Sequence, residues 1–263
     1  MKQLELNGSF VCYDSFTHEK NEELRSFLQS KALKSIIDSI EEKIVIVLGG
    51  DGTMLRAIKE NYTNNLPFLG LNFGHKGFLL NSKESITPGF NYVERKYPLL
   101  EVEVGVNGES RKEIAVNEID IRAGAGRMIG LDISLSKRQR INIEGDGIII
   151  ATPAGSTGYN SSLGGPIIPH TQNAFVMTPK APWKPKLQSS IIINDHETVG
   201  IKNTGRKNPV EIYCDGREFL KVEENSDLDI TVKKSSSMVR LIIAESYIDT
   251  WDSKVLQEQG FQV

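Results

Sequence analysis

Residues 44–48, Ile-Val-Ile-Val-Leu, constrain the fold of this chain more than any other stretch. The run is short, wholly apolar and mostly β-branched, without the alternation of a half-solvated strand. Such a segment reads as a strand buried on both faces, the pattern of a parallel sheet covered by helices. It leads directly into Gly49-Gly50-Asp51-Gly52-Thr53, and residues 53–62 then read as a helix. Residues 66–71 read as the next strand. Strand, turn, helix and strand in that order predict an α/β unit with a right-handed crossover. Upstream, residues 19–40 place Leu24, Phe27, Leu28, Leu33, Ile36, Ile37 and Ile40 at helical spacing. Residues 9–13 are the candidate for the first strand of the sheet.

The chain changes character near Tyr97. Strand patterns follow in quick succession over residues 100–106, 114–122, 129–135, 148–152, 190–194, 210–214, 228–232 and 239–244. Asn107-Gly108 and Asp215-Gly216 are turn pairs, the second a strong two-residue hairpin signal. Residues 178–185 contain Pro179, Pro182 and Pro185 and predict a shaped loop. Residues 250–259 read as a helix that packs back on the first domain. The predicted fold class is therefore mixed α/β and α+β. It has an N-terminal α/β domain with a parallel sheet (residues 1–96, completed by 249–263) and a C-terminal β-rich, sandwich-like domain (residues 97–248).

Composition narrows the function classes. Of 263 residues, 39% are hydrophobic and 25% charged, as in globular domains, and the net charge of −3 gives no electrostatic footprint for a nucleic-acid partner. Cys12 and Cys214 are too few and too far apart for a zinc cluster or a disulfide framework. No apolar run approaches the roughly 18 residues of a membrane span, and residues 1–7 lack the pattern of a signal peptide. A soluble, cytoplasmic protein without membrane or nucleic-acid partners is expected.

The glycine-rich turn is the first candidate for chemistry. Glycines admit close backbone approach, and amides at a helix start bind anions with help from the helix dipole. Gly49, Gly50, Gly52 and Thr53 are candidate phosphate-binding residues. Asp51 would sit beside phosphates, where a carboxylate suits polarising an attacking hydroxyl or holding a magnesium ion. The plainer reading is a tight strand-to-helix turn with Asp51 as a cap. There is no GxxxxGK[ST] sequence, so an ordinary P-loop is not expected.

Three further segments carry polar groups where ligands bind. GLNFGHKGFL follows the second strand, with His75 and Phe78 as site-lining candidates. Asn117-Glu118 interrupts an alternating strand, and an amide can pair with the adjacent donor and acceptor of adenine. Asp146-Gly147 precedes a strand that runs into TPAGSTGYNSSLGG, dense in hydroxyls and glycines, with Tyr159 as a stacking surface.

The TPAGSTGY stretch resembles the NAD kinase signature TPTGSTAY. GGDGT, Asn117-Glu118, Asp146-Gly147 and Asp215-Gly216 stand in that family's order, so the resemblance spans residues 44–219. Lipid kinases and phosphofructokinases share the first motif but not the combination. The resemblance implies an α/β domain followed by a β-rich domain, and phosphorylation of the adenosine ribose 2′-hydroxyl of NAD. ATP or polyphosphate would be the donor, with a divalent metal, Mg2+, and the enzyme would be a homodimer or homotetramer. It implies Asp51 as the catalytic residue. NAD would be bound by Gly52, His75, Phe78, Asn117, Glu118, Asp146, Thr157, Gly158, Tyr159, Ser162 and Ala181, and the phosphate donor by Gly49, Gly50, Gly52 and Thr53. No metal ligand is assigned. The departures are Lys76 for an apolar residue, Ala154 and Gly158 as small replacements, and Glu144 where the family often carries a basic residue.

Overall fold

A computed structural model describes residues 1–6, 8–13, 20–74, 77–124, 126–136, 139–184, 189–205, 207–249 and 253. The chain divides into two compact units, Met1–Tyr97 with Ser237–Val263, and Pro98–Ser236.

The first unit opens with an antiparallel hairpin, β1 (Lys2–Leu6) and β2 (Ser9–Tyr13). The helical stretch that follows is two helices, α1 (Lys20–Leu28) and α2 (Lys31–Asp38). The break comes from Ser30, whose extended backbone and side chain cap the second helix at Leu33 N–H, 3.3 Å away. Next come β3 (Val45–Gly49), α3 (Asp51–Asn61) and β4 (Phe68–Asn72). Strands β2, β3 and β4 are parallel neighbours. Val45, Ile46, Val47 and Leu48 are fully buried, as a run apolar on both faces requires. Leu24, Leu33, Ile36 and Ile37 of the helices pack with Val11, Ile46, Leu48, Leu69 and Leu71 of the sheet. The predicted helix at 250–259 lies outside the described residues.

The second unit is a sandwich. β5 (Tyr92–Val106) and β6 (Glu109–Ala115) form a hairpin around Asn107 and Gly108. Then follow β7 (Glu118–Ala123), β8 (Ile129–Leu135), β9 (Gln139–Gly145) and β10 (Gly147–Ala151). After the four-residue helix α4 (Tyr159–Ser162) come β11 (Ala174–Lys180), β12 (Ile191–Asn194) and β13 (Val199–Thr204). β14 (Val210–Cys214), β15 (Arg217–Val222) and β16 (Leu228–Ala244) complete the order. One sheet runs β12-β11-β10-β7-β14-β15. The facing strands are β9, β8, β13 and the first part of β16, with β5 and β6. Ile119, Ile121, Ile148, Ile150, Phe175 and Met177 meet Leu131, Ile133, Ile201, Ile230 and Val232 in one apolar core.

Four sequence expectations are corrected. Residues 114–122 are not one strand: the chain bends at Val116-Asn117, between β6 and β7. Residues 178–180, expected in a loop, end strand β11. Pro179 pairs with Ile148 on one side, while on the other the ladder to β12 covers only Ala174 to Met177, so its missing N–H costs no sheet bond there. Residues 228–232 and 239–244 belong to one continuous strand. The return to the first unit falls inside that strand, at Ser237, rather than at 249. Among the described residues no helix is long and apolar enough to cross a membrane.

Candidate functional site

In the first unit the glycine turn is built on the end of β3. Gly50 is the N-cap of α3, without a side-chain bond, so Asp51 is the first helical residue and not the cap. The Asp51 carboxylate is half-buried and accepts two backbone bonds, from Phe78 N–H at 2.9 Å and Leu79 N–H at 2.8 Å. It therefore ties the helix start to the segment after β4, and brings Phe78 beside Asp51. The glycines of the turn differ. A Cβ at Gly49 would lie 2.4 Å from Thr53 Oγ1, so this glycine serves close packing against a buried threonine. A Cβ at Gly52 meets nothing within 4 Å, which leaves the helix start open to an incoming group at that point. His75 lies outside the described residues.

In the second unit the bend at Asn117 is held by a residue distant in sequence. Asp215 accepts from the N–H groups of Val116 at 3.0 Å, Asn117 at 2.6 Å and Glu118 at 3.3 Å. Its own N–H returns to Glu118 O at 3.0 Å. Asp215 and Gly216 have φ of 51° and 72°, the double left-handed conformation of a type I′ turn. The sequence reading used Asp215 as a hairpin marker and missed this clamp.

The loop after β10 closes on the same bend. Thr152 N–H donates to Asn117 O at 2.8 Å, and Thr152 Oγ1 donates to Val116 O at 2.6 Å. A Cβ on Gly155 would fall 2.1 Å from Asn117 O, so only glycine permits this approach. Within the loop the polar groups divide into two sets. Thr152, Ser156 and Asn160 are fully buried. Ser156 Oγ accepts from Ile168 N–H at 3.0 Å, and Asn160 Nδ2 donates to Ser156 O and Pro166 O at 3.0 Å each. Thr178 Oγ1 donates to Asn160 Oδ1 at 2.7 Å. These fasten the loop internally. Thr157 is half-buried, while Gly158, Tyr159 and Ser162 are exposed. Asn160, missed in the sequence, is what fixes the segment that carries Tyr159.

Glu118 lies under this loop. It is 8% exposed, and its Oε2 is 3.8 Å from the point a Cβ of Gly158 would occupy. Burial first, then the charges of Asp215 and Asp120, push its carboxyl up to about 8. At neutral pH it is a protonated acid, able to donate as well as accept. Asp146 and Ala181 are exposed, and Asp146 N–H donates to Lys180 O at 3.0 Å. Ala181 has φ of 40°, a left-handed conformation in a non-glycine residue. Glu144 lies instead in a cavity of about 940 Å3 with Arg127, Met128, Asn208 and Glu224. The other residues singled out in the sequence do not line it.

Residues 1–88 match the N-terminal domain of the ATP-NAD kinases, and residues 116–244 match their C-terminal domain. The NAD kinase of Rickettsia akari is 30% identical over 227 residues, covering 83% of this chain and 86% of that one.

This chain belongs to the NAD kinase family.

Solved structures of the family share the fold. Yeast NADH kinase, complexed with NADH, superposes with a TM-score of 0.76 at 19% identity, over 96% of this chain and 88% of that one. An NAD kinase from Archaeoglobus fulgidus, in complex with ATP, gives 0.65 at 21% identity, over 94% and 97%. The α/β unit followed by a β-rich unit is the architecture of NAD kinases.

Proposed function

We propose that the chain transfers the γ-phosphoryl group of ATP to the adenosine ribose 2′-hydroxyl of NAD, giving NADP and ADP. The observation that carries this reading is the Asn117-Glu118 bend. Asp215 clamps it, Thr152 and Gly155 close on it, and Gly158, which stands between Thr157 and Tyr159 in the chain, comes near the Glu118 carboxyl. An amide, a protonated carboxyl, hydroxyls and an exposed aromatic ring are the groups that recognise an adenosine.

The oxygen of the 2′-hydroxyl attacks the γ-phosphorus as the bond to the ADP oxygen breaks. Asp51 accepts the hydroxyl proton. Its two bonds from Phe78 and Leu79 fix the carboxylate's orientation, which is the protein's main contribution to a reaction governed by positioning and charge. Asn117 pairs with the adenine edge, and Glu118 bonds the ribose. Thr157, Gly158, Tyr159 and Ser162 complete the adenosine contacts. Asp146, Ala181, His75 and Phe78 are assigned to NAD binding by the family resemblance. The donor phosphates approach the turn at Gly52, with Gly49, Gly50 and Thr53 shaping it.

Among the described residues there is no group of three or more His, Cys, Asp or Glu side chains able to hold a metal ion. A magnesium ion would be held chiefly by the phosphates of ATP and would offset their charge during transfer. Inorganic polyphosphate would fit the same open helix start. The reading includes a cytoplasmic homodimer or homotetramer, which the family resemblance implies.

The test is incubation of the purified protein with ATP, magnesium and NAD, with NADP read by a dehydrogenase that accepts only NADP. NADP formation is expected. Phosphorylation of diacylglycerol or fructose 6-phosphate without phosphorylation of NAD would sink the assignment.

A further inference from the structure

On the face of the β12–β15 sheet that turns away from the sandwich core, β7 presents Asp120 and β11 presents Lys180. Both side chains are only 8% exposed, and Lys180 Nζ donates to Asp120 Oδ1 at 2.7 Å. On β10, Ile149 pairs with Asp120 and is fully buried, and Gly147 pairs with Lys180. A buried ion pair in such a place is weak evidence of stabilisation, because apolar replacements of similar volume are often as stable or more so. The pair has a second contact. Lys180 Nζ stands 4.9 Å from the centroid of the Tyr159 ring. That ring is 40% exposed and stands at the start of the four-residue helix α4, which has no side-chain cap. Asp120 thus fixes the ammonium, and the ammonium faces an aromatic ring that is otherwise open to solvent.

We propose that Lys180 is a positioning residue for NAD binding: anchored by Asp120, its ammonium holds the Tyr159 ring in the orientation that receives an aromatic ring of NAD. The inference rests on the NAD kinase reading and adds to it a residue that never touches the reacting atoms. Its effect falls on KM for NAD. The Michaelis constant for ATP and kcat stay where they are, since Lys180 acts through Tyr159 alone.

Two comparisons in the NADP-forming assay separate positioning from mere structural pairing. Lys180→Met leaves buried Asp120 with only the Arg122 guanidinium, 3.9 Å away, and lowers the melting temperature. Asp120→Leu/Lys180→Met removes both charges and restores that temperature, and because the Asp120 charge also acts on Glu118 its KM is compared with that of Asp120→Leu alone. The expected result is that the double variant keeps a KM for NAD raised about fivefold to tenfold, the range of a partly desolvated cation–π contact. Its kcat should stay within about twofold of the parent. Should that double variant fail to fold, Asp120→Asn/Lys180→Gln keeps a neutral hydrogen-bonded pair and carries the same comparison. Independently, adding Lys180→Met to Tyr159→Leu should change KM for NAD by less than about twofold, because the partner is already gone.

A KM that recovers together with the melting temperature overturns the proposal. So does a Lys180→Met effect of equal size with and without Tyr159. If the unmutated protein makes no NADP, the parent reading has failed instead, and the two failures are told apart by that first measurement.

Discussion

Two carboxylates in this molecule, Asp51 in the first unit and Asp215 in the second, do the same thing with opposite consequences. Each accepts backbone N–H groups from a segment remote in sequence: Asp51 from Phe78 and Leu79, Asp215 from Val116, Asn117 and Glu118. In the first unit the clamping carboxylate is itself the candidate for chemistry. In the second unit the clamp stands behind the candidate, Glu118. There Asp215 holds the backbone while its charge helps keep the Glu118 carboxyl protonated. On the proposed reading, one arrangement orients a carboxylate to accept a proton, and the other withholds ionisation from a carboxyl that binds. The two regions teach that the same hydrogen bonds can prepare a base or support a neutral ligand-binding acid, according to which residue meets the substrate.

Substitutions can break that comparison. The largest effect is expected from Asp51→Asn. Loss of a general base typically lowers turnover about 100- to 10,000-fold. Asn offers one acceptor oxygen to two N–H donors, so some stability is lost as well. The Kd for NAD, measured on folded protein by calorimetry, should stay within about threefold. Near-normal turnover would reduce Asp51 to a brace for residues 78–79. Asp215→Asn comes next. It weakens a three-bond clamp, so KM for NAD should rise about tenfold and the melting temperature should fall by several degrees, on the order of 1–2 kcal/mol. A change in kcat with no change in KM would move Asp215 from support to chemistry.

Glu118 supplies a pH test. Its pKa in the folded protein, about 8, lies above its ordinary value of 4.5. The proton it retains therefore contributes stability that is fully present below 4.5 and is lost as the pH rises through 8. The KM for NAD should rise above pH 8 as the acid ionises beside Asp215 and Asp120. Glu118→Gln mimics the protonated acid, so KM at pH 7 should stay within about threefold of the parent and the rise should vanish. A rise that persists in Glu118→Gln would assign it to another group. The smallest effect is expected at Glu144. Glu144→Arg, in a cavity that already holds Glu224 and Arg127, should tighten ATP or NADP by no more than about fivefold at low salt. Unchanged dissociation constants would mean that this cavity takes no nucleotide.

β3 and β4 were legible because full burial leaves a wholly apolar run, as at Val45–Gly49, whereas β1, exposed over Lys2–Glu5, was not predicted. The I′ hairpin at Asp215-Gly216 was legible because two consecutive left-handed residues restrict the sequence. β9 and β13 were not seen, since Gln139–Gly145 and Val199–Thr204 each set only two apolar side chains among polar residues and glycine, a weak signal at strand length. The bend at Val116-Asn117 was hidden for a different reason. Apolar residues flank the polar pair Asn117-Glu118 on both sides, so residues 114–122 read as one interrupted strand, and what breaks it is a carboxylate 98 residues away. The candidate site was legible as a set of residue types and not as a division of labour. Thr152, Ser156, Thr157 and Ser162 all offer hydroxyls in the sequence. Only folding separates the first two, buried and bonded to the loop, from the half-buried Thr157 and the exposed Ser162.

The most direct test of the central claim uses an analogue of NAD lacking only the adenosine ribose 2′-hydroxyl. With ATP and magnesium, NAD should give NADP, identified by its phosphorus resonance at the 2′ position. The 2′-deoxy analogue should give no phosphorylated product while still competing with NAD, since the adenine and aromatic contacts assigned to Asn117 and Tyr159 remain. Phosphorylation of the analogue, or of NAD at any other hydroxyl, would contradict the account.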